Sequence, residues 1–240
     1  MRRIFGDPGS MRILASLLAL ITLAFSSVAI AQSEPADDSP PAAPIKAVLS
    51  VPPAAQPDNI WVLELSTGGQ VKIQLRPDAA PNHVERIKTL TRQGFYNGLV
   101  FHRVIDGFMA QGGDPSGTGE HGSPLPDLKA EFNTLPHVRG AVSAARTQDD
   151  NSANSQFFIM FMPMLRLDTK YTVFGRVVSG MQYVDAIERG EPPANPSRVV
   201  RAWIEADGPN AIQPPPPAAM PAQAADAPPP PAATEPAEPK

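Results

Sequence analysis

Short stretches in which every second residue is apolar recur through the middle of the chain, and this pattern is typical of β-strands with one buried face. Residues 61–65 and 71–75 alternate in this way, and the Thr-Gly-Gly sequence at 67–69 supplies a turn between them. The two stretches therefore predict a β-hairpin. Comparable stretches predict further strands at 99–105, 140–144, 156–161, 171–177 and 199–205.

Two segments have helical features instead. Pro81 suits the first position of a helix, apolar residues recur at every third position from Val84, and Gly94 is placed to end the helix. A second, shorter helix is predicted at 181–189. Many strands and only two helices favour a mainly β fold, in which an antiparallel sheet closes or wraps around one core.

The sequence on either side of this core is rich in proline. Of the 30 prolines among the 240 residues, seven lie in residues 32–57 and eleven in residues 213–240, where 20 of 28 residues are Pro or Ala. Such segments have too little apolar content to build a core. We therefore predict a disordered linker at 32–57, one domain at 58–212 and a disordered tail at 213–240.

The N-terminus has the organisation of a secretory signal. Three arginines precede an uncharged, largely apolar run at 13–33, which contains an Ala-Ile-Ala sequence at 29–31. We predict that residues 1–31 form a signal peptide, and that its removal leaves a periplasmic protein with no stable membrane insertion. An uncleaved anchor that leaves the domain facing the periplasm is the alternative, because the run is just long enough to span a bilayer. Met11 is an alternative first residue of the translated protein, because the segment that follows it still has the features of a signal peptide.

Composition and spacing exclude several classes of site. The chain has no cysteine, which excludes disulfides, thiol nucleophiles and thiolate metal sites, and its net charge of −4 argues against binding to nucleic acid. Its four histidines lack the spacing of a metal site. Residues 117–122 fit G-x-G-x-x-G, but Ser-Pro-Leu-Pro follows them instead of a helix, so no dinucleotide site is predicted. We expect neither a metal nor a cofactor.

The most informative stretch is FHRVIDGFMAQGGD at 101–114, in which one arginine, Arg103, stands among large apolar residues. A guanidinium on an apolar wall suits an apolar ligand with one buried acceptor. Together with SQFFIMF at 155–161 and YTVFGRVVSGM at 171–181, this stretch resembles the cyclophilins, a family of peptidyl-prolyl cis-trans isomerases. The resemblance runs from about residue 58 to residue 206.

The resemblance implies a closed, eight-stranded antiparallel barrel with two capping helices, and an enzyme that speeds rotation about X-Pro bonds in proline-containing polypeptides. The barrier to this rotation, about 18–20 kcal/mol, comes from delocalisation of the nitrogen lone pair into the carbonyl group. In the twisted transition state the nitrogen becomes pyramidal and can accept a hydrogen bond. The family's catalytic arginine corresponds to Arg103, which stays charged at any physiological pH.

The resemblance also implies the other site residues. Gln111 corresponds to a residue that hydrogen-bonds the peptide backbone and braces the arginine, and Gln156 to one beside the same groove. The remaining positions form a rigid apolar pocket for the proline ring and one wall of the groove. The pocket positions are Phe108, Met109, Phe158 and Leu167, with the flat side of Tyr171 facing them, and the wall positions are Ala145, Arg146 and Thr147.

The sequence departs from the best-known cyclophilins near the pocket. Arg166 and Tyr171 stand where those proteins commonly have Trp and His, and the Trp hydrogen-bonds the inhibitor cyclosporin, so strong inhibition by that drug is not implied. Catalysis is expected to survive, because bacterial members vary at both positions. Thr169 replaces the usual Gly in the turn after Leu167.

Other interpretations remain open at this point. Taken singly, Arg103 could be a surface ion-pair partner and the pocket residues could be ordinary core residues; only their joint pattern favours catalysis. The groove could hold proline-containing segments as a chaperone or docking module with little catalysis. The proline-rich linker and tail could be spacers that tie the domain to components of the cell envelope. We expect the domain to be a monomer.

Overall fold

The computed structural model describes residues 43–211; the predicted signal peptide, the first part of the predicted linker and the predicted tail lie outside them. The helices of the described part are α1 (Pro81–Arg92) and α2 (Met181–Asp185). Its strands are β1 (Ile60–Leu65), β2 (Gly69–Leu75), β3 (Phe101–Ile105), β4 (Met109–Gly112), β5 (Ala141–Ala144), β6 (Phe157–Met160), β7 (Val173–Ser179) and β8 (Val199–Ile204). Two short 3-10 turns span Pro57–Asn59 and Leu165–Leu167.

The predicted hairpin and both predicted helices are confirmed. β1 pairs with β2 so that Trp61 lies opposite Ile73, and both side chains are fully buried. α1 begins at Pro81, whose missing N–H costs nothing at that position, and packs against β7 and β8. α2 packs against β2 and ends at Asp185, several residues earlier than predicted.

The eight strands form one antiparallel sheet in the order β3-β4-β6-β5-β7-β2-β1-β8. β3 and β8 are therefore the two ends of the sheet. Among the described residues, isolated β-bridges connect the β3 end of the sheet to the segment before β8; they join Val100 to Arg198 and Val104 to Gly190. The sheet is a curled half-barrel, so the prediction of a closed barrel is wrong.

Prolines explain why the barrel stays open. The chain that runs beside β3 is not β8 but the segment just before it, where Phe101 donates its N–H to the Ser197 carbonyl at 2.9 Å. This segment contains Pro192, Pro193 and Pro196, which have no N–H to donate. A continuous ladder along β3 cannot form with such a partner.

Strand β6 is buried on both faces, and each face belongs to a different apolar cluster. Along β6, Phe157 and Ile159 face the main core, together with Trp61 and Leu63, whereas Phe158 and Met160 face the opposite side. We call the second set the groove cluster; its buried members are Ala79, Met109, Leu135, Ala141, Phe158, Met160 and Val173. Burial on both faces explains why β6 reads as an unbroken apolar run.

Part of the predicted linker lies along the domain. Lys46 donates its N–H to the Phe132 carbonyl at 2.7 Å and accepts the N–H of Thr134 at 3.1 Å. Further along, Arg76 donates to the Leu49 carbonyl at 2.7 Å. We call residues 46–53 the N-terminal arm. Its contacts were not predicted, because they are made by backbone groups, which proline-rich composition does not reveal.

Between residues 43 and 211, no helix has the length and apolar character that a membrane crossing requires.

Candidate active site

A β-bulge places Arg103. β3 and β4 pair so that Phe101 lies opposite Gly112 and Arg103 opposite Gln111, which leaves His102 as an extra residue. Without the extra residue, positions 101 and 103 would face the same side of the sheet. The bulge instead lets Phe101 enter the main core while Arg103 lies on the face of the groove cluster, with 27% of its side chain exposed.

The strand register brings predicted site residues into one row. Arg103 lies opposite Gln111 on β4, and Gln111 lies opposite Phe158 on β6. Residues directly opposite each other in a sheet project to the same face, so the three side chains are neighbours. Met109, two positions from Gln111, shares this face.

The predicted pocket residues also come together. Phe158 meets Tyr171 edge to face, with ring centroids 5.8 Å apart. The partly buried residues that pack against the groove cluster include Phe108, Ala145, Leu167 and Tyr171. An apolar, partly open surface of aromatic and aliphatic side chains therefore adjoins Arg103 in the sheet. The structure shows this arrangement, and the roles of the individual residues stay predictions.

Ser143, His137 and Asp168 are connected by hydrogen bonds next to Phe158; Ser143 and His137 are fully buried, and 29% of the Asp168 side chain is exposed. Ser143 Oγ is 2.9 Å from His137 Nε2, and His137 Nδ1 is 2.9 Å from Asp168 Oδ1. The residue types are those of a serine hydrolase, but the Ser143 and His137 side chains have no exposed surface, so no substrate can reach the hydroxyl. The His137 ring stacks on Phe158 at an interplanar angle of 17° and so restrains the ring of this pocket residue.

Burial is the largest influence on the pKa of His137, the middle residue of these three. It lowers the pKa of His137 below its ordinary value, although the hydrogen bond and charge of Asp168 act in the opposite direction. The imidazole is therefore neutral at pH 7 and can connect Ser143 to the carboxylate. The sequence did not predict these hydrogen bonds, because residues 137, 143 and 168 follow no spacing that a motif would reveal.

The two predicted glutamines connect the groove to a loop. Gln111 Nε2 donates to Gln156 Oε1 at 2.9 Å, and Gln156 Nε2 donates to the carbonyls of Gly119 and His121 at 2.9 and 2.8 Å. Among the described residues, the hydrogen bond of the Arg103 side chain is to Glu191, with Nε 2.7 Å from Oε2. The brace that the structure shows is thus Glu191 and not the predicted Gln111.

The glycine-rich loop is organised around a buried carboxylate. Asp114 accepts N–H groups from Ser116 at 2.7 Å, Thr118 at 3.1 Å and Gly119 at 2.5 Å. Burial opposes ionisation of Asp114, but hydrogen bonds led by those of Ser116 lower its pKa overall. These N–H groups of the loop are thus occupied by the protein's own carboxylate.

Arg146, predicted on the groove wall, is held by the protein itself. Its guanidinium donates to the Lys170 carbonyl at 2.9 Å, pairs with Asp150 at 2.9 Å and lies 4.7 Å from the centroid of the Tyr171 ring. The side chain is therefore placed to fix Tyr171. Thr147 is exposed, and its hydroxyl bonds Ser152 at 2.8 Å.

Residues 62–204, more than half of the chain, match the family model described as cyclophilin type peptidyl-prolyl cis-trans isomerase/CLD. The chain belongs to the cyclophilin family. It is accordingly an enzyme of the peptidyl-prolyl cis-trans isomerase class, as the sequence resemblance predicted.

Individual relatives agree with this assignment. A probable peptidyl-prolyl cis-trans isomerase of Brucella suis is 50% identical to this cyclophilin over 170 residues, which cover 64% of this chain and 86% of the relative. A solved cyclophilin of Hirschia baltica is 32% identical with a TM-score of 0.60, over 64% of this chain and 76% of the other. A cyclophilin of Cryptosporidium parvum, crystallised in the presence of the dipeptide Ala-Pro, is 26% identical with a TM-score of 0.57, over 60% of this chain and 98% of the other.

Two positions where this cyclophilin differs from well-known members now have a structural description. Arg166 is exposed at the 3-10 turn beside the pocket. Thr169 has a φ of 61°, in the left-handed region that glycine adopts without penalty. A glycine at this position of other members is explained by that backbone, and threonine adopts it at a cost of about 1–3 kcal/mol.

Within residues 43–211, no group of three or more His, Cys, Asp or Glu side chains is arranged to hold a metal ion.

The stability of this cyclophilin is expected to fall below about pH 6.5. Burial lowers the pKa of His102, with Arg103 acting in the same direction and Asp114 against it. As the pH falls, the unfolded chain takes up this proton first, near pH 6.5, so the free energy of unfolding drops by up to about 1.4 kcal/mol per pH unit for this histidine until the folded state is protonated too. Thermal unfolding at pH 7.5 and 5.5 measures the slope, and His102→Leu should reduce it. If the pH dependence of stability is unchanged in that variant, His102 is not its cause.

Proposed function

We propose that this cyclophilin, acting as a monomer, isomerises X-Pro bonds by donating a hydrogen bond from Arg103 to the prolyl nitrogen in the twisted state. The planar amide nitrogen has no free lone pair and the twisted one has, so the interaction exists only on the way across the barrier. A contact that forms only in the transition state lowers the barrier without tightening substrate binding. No covalent bond needs to form or break.

The observation that carries this proposal is the position of the guanidinium. Arg103 shares one face of the sheet with Gln111 and Phe158, and its ion pair uses Nε, so both terminal Nη groups are without a partner among residues 43–211. A guanidinium has five N–H donors in a fixed plane, and four of them remain for the peptide.

We propose proline-containing polypeptides as the substrates. The Cryptosporidium relative was crystallised in the presence of Ala-Pro, and the groove cluster of this chain offers apolar side chains for a proline ring. A pocket of this kind recognises the proline ring by apolar contact. The substrate residues on either side of that proline are then selected only by weaker contacts.

The cellular context that we propose is folding outside the cytoplasm. The support is the sequence alone: a positive region, an apolar run and Ala-Ile-Ala at 29–31. Slow prolyl rotation limits the folding of many proteins, so an exported isomerase has substrates wherever chains fold after translocation. Cell fractionation and N-terminal sequencing test this, with a periplasmic chain that begins at Gln32 as the expected result. An uncut chain in the membrane fraction would support the anchored alternative, and a cytoplasmic chain would contradict export.

A binding role without much catalysis is the second candidate, and the exposed Arg166 beside the pocket favours it, because this edge lacks the large apolar side chain that would close over a ligand. A protease-coupled assay of residues 32–240 on a proline tetrapeptide separates the two. Acceleration of cis-trans rotation supports the enzyme. Tight peptide binding by the folded protein without acceleration would support the docking module and overturn the proposed function.

A further inference from the structure

The loop that follows α2 is attached to β3 beside Arg103. Val104 donates its N–H to the Gly190 carbonyl at 2.8 Å and accepts the N–H of Gly190 at 2.8 Å. A reciprocal pair of backbone hydrogen bonds fixes both the distance and the orientation of the two segments. Glu191 follows Gly190 and Arg103 precedes Val104, so the side chains of Glu191 and Arg103 lie next to each other.

Contacts on either side of Glu191 hold the loop further. Arg189 lies 4.2 Å from the centroid of the Phe161 ring and pairs with Asp106 at 3.1 Å, and its Nη1 donates to the Asp185 carbonyl at 2.8 Å. After Glu191 come Pro192 and Pro193, whose rings fix φ. The backbone at Glu191 is thus restrained from both directions.

Gly190 is required for this arrangement. Its φ is 148°, in a region that residues with a Cβ rarely adopt, and a Cβ there would lie 2.5 Å from the Cα of Pro193. No other residue fits without movement of the loop. The sequence Arg-Gly-Glu-Pro-Pro at 189–193 is therefore suited to present one carboxylate at a fixed place.

We propose that Glu191 is a positioning residue for Arg103. This inference rests on the proposed function, in which Arg103 contacts the prolyl nitrogen. The carboxylate accepts Nε–H at 2.7 Å and so fixes the plane of the guanidinium, while the Nη groups stay free for the peptide. An arginine side chain loses rotamer entropy when it becomes ordered, and an arginine that is ordered before the substrate binds does not incur that cost in the transition state.

The pair is placed to act on catalysis and not on stability. Half of the Glu191 side chain and about a quarter of the Arg103 side chain are exposed. Exposed ion pairs contribute little to the stability of the fold, so loss of the carboxylate should leave the fold intact. A positioning role predicts a change in kcat, because peptide binding depends mainly on the apolar pocket.

The test compares three single variants in the isomerase assay, with kcat and KM measured separately. Glu191→Ala should lower kcat about fivefold, with KM within twofold and the midpoint of thermal unfolding within 2 °C of the unmodified protein. Glu191→Gln should restore most of kcat, because its amide oxygen can still accept Nε–H. Glu188→Ala removes the same charge from the same loop at an exposed position and should change neither constant.

A double-variant cycle separates this inference from the proposed function. Glu191→Ala should have no further effect in an Arg103→Ala background, because it acts only through Arg103. Full activity of Glu191→Ala, an equal loss in Glu191→Gln, or an equal effect in both backgrounds would each overturn the positioning role. Full activity of Arg103→Ala would instead overturn the proposed function itself.

Discussion

Replacement of Arg103 by alanine is expected to lower kcat/KM for a proline tetrapeptide by about 10²–10³-fold, the usual effect of removing one preorganised donor to a transition state. The reason is that the twisted prolyl nitrogen loses its hydrogen bond while the ground state loses little. Arg103 is partly exposed and its ion pair with Glu191 lies at the surface, so the midpoint of thermal unfolding should change by only a few degrees.

Two further variants make this result specific. Arg103→Lys keeps the positive charge but not the planar fork, and it should recover only a small part of the activity. Arg201 on β8 is the matched control, because it is also a strand arginine with a glutamate partner, Glu64 at 3.2 Å. Arg201→Ala should leave kcat/KM unchanged. An Arg103→Ala protein that is folded and fully active would remove the proposed mechanism.

The adjacent phenylalanines of β6 should respond in opposite ways to the same change. Phe158 faces the groove cluster, whereas Phe157 faces the main core, where its ring contacts Trp61 and Tyr96. Phe158→Leu should lower kcat/KM about tenfold or more, since the proline ring loses an aromatic wall. Phe157→Leu should instead lower the free energy of unfolding by about 1–2 kcal/mol and leave kcat/KM of the folded protein within twofold.

Urea unfolding and the isomerase assay on the same two proteins decide this prediction. Each variant is the control for the other, because the substitution is identical and the positions are consecutive. Equal losses of activity in both variants, or a loss that follows the unfolded fraction, would mean that Phe158 belongs to the core and does not line the pocket.

Local pattern predicted those elements whose structure is set by neighbours in sequence. The hairpin of β1 and β2 and the start of α1 at Pro81 are of this kind. β4 was missed because its sequence, Met-Ala-Gln-Gly, neither alternates nor contains β-branched residues; it is a strand because β3 and β6 pair with it on both sides. Closure of the sheet was predicted wrongly, because it depends on the segment that lies beside β3. That segment, far along the sequence from β3, contains Pro192, Pro193 and Pro196.

At the site, the sequence predicted which side chains meet but not what holds them. Arg103, Gln111 and Phe158 lie in one row, as a shared role requires. Their supports come from far along the chain: Glu191 is 88 residues from Arg103, and Asp168 is 31 residues from His137. Nothing in local sequence marks such partners, because the fold alone brings them together.

The N-terminal arm changes where this cyclophilin begins as a folding unit. The family match starts at residue 62, yet the side chain of Arg76, only 5% exposed, donates to a carbonyl at residue 49, and Gln74 donates to one at residue 53. A recombinant protein trimmed to the start of the family match would uncover both donors and return them to water. Limits chosen by homology would thus yield a less stable enzyme, and heat tolerance measured on it would understate that of the natural chain.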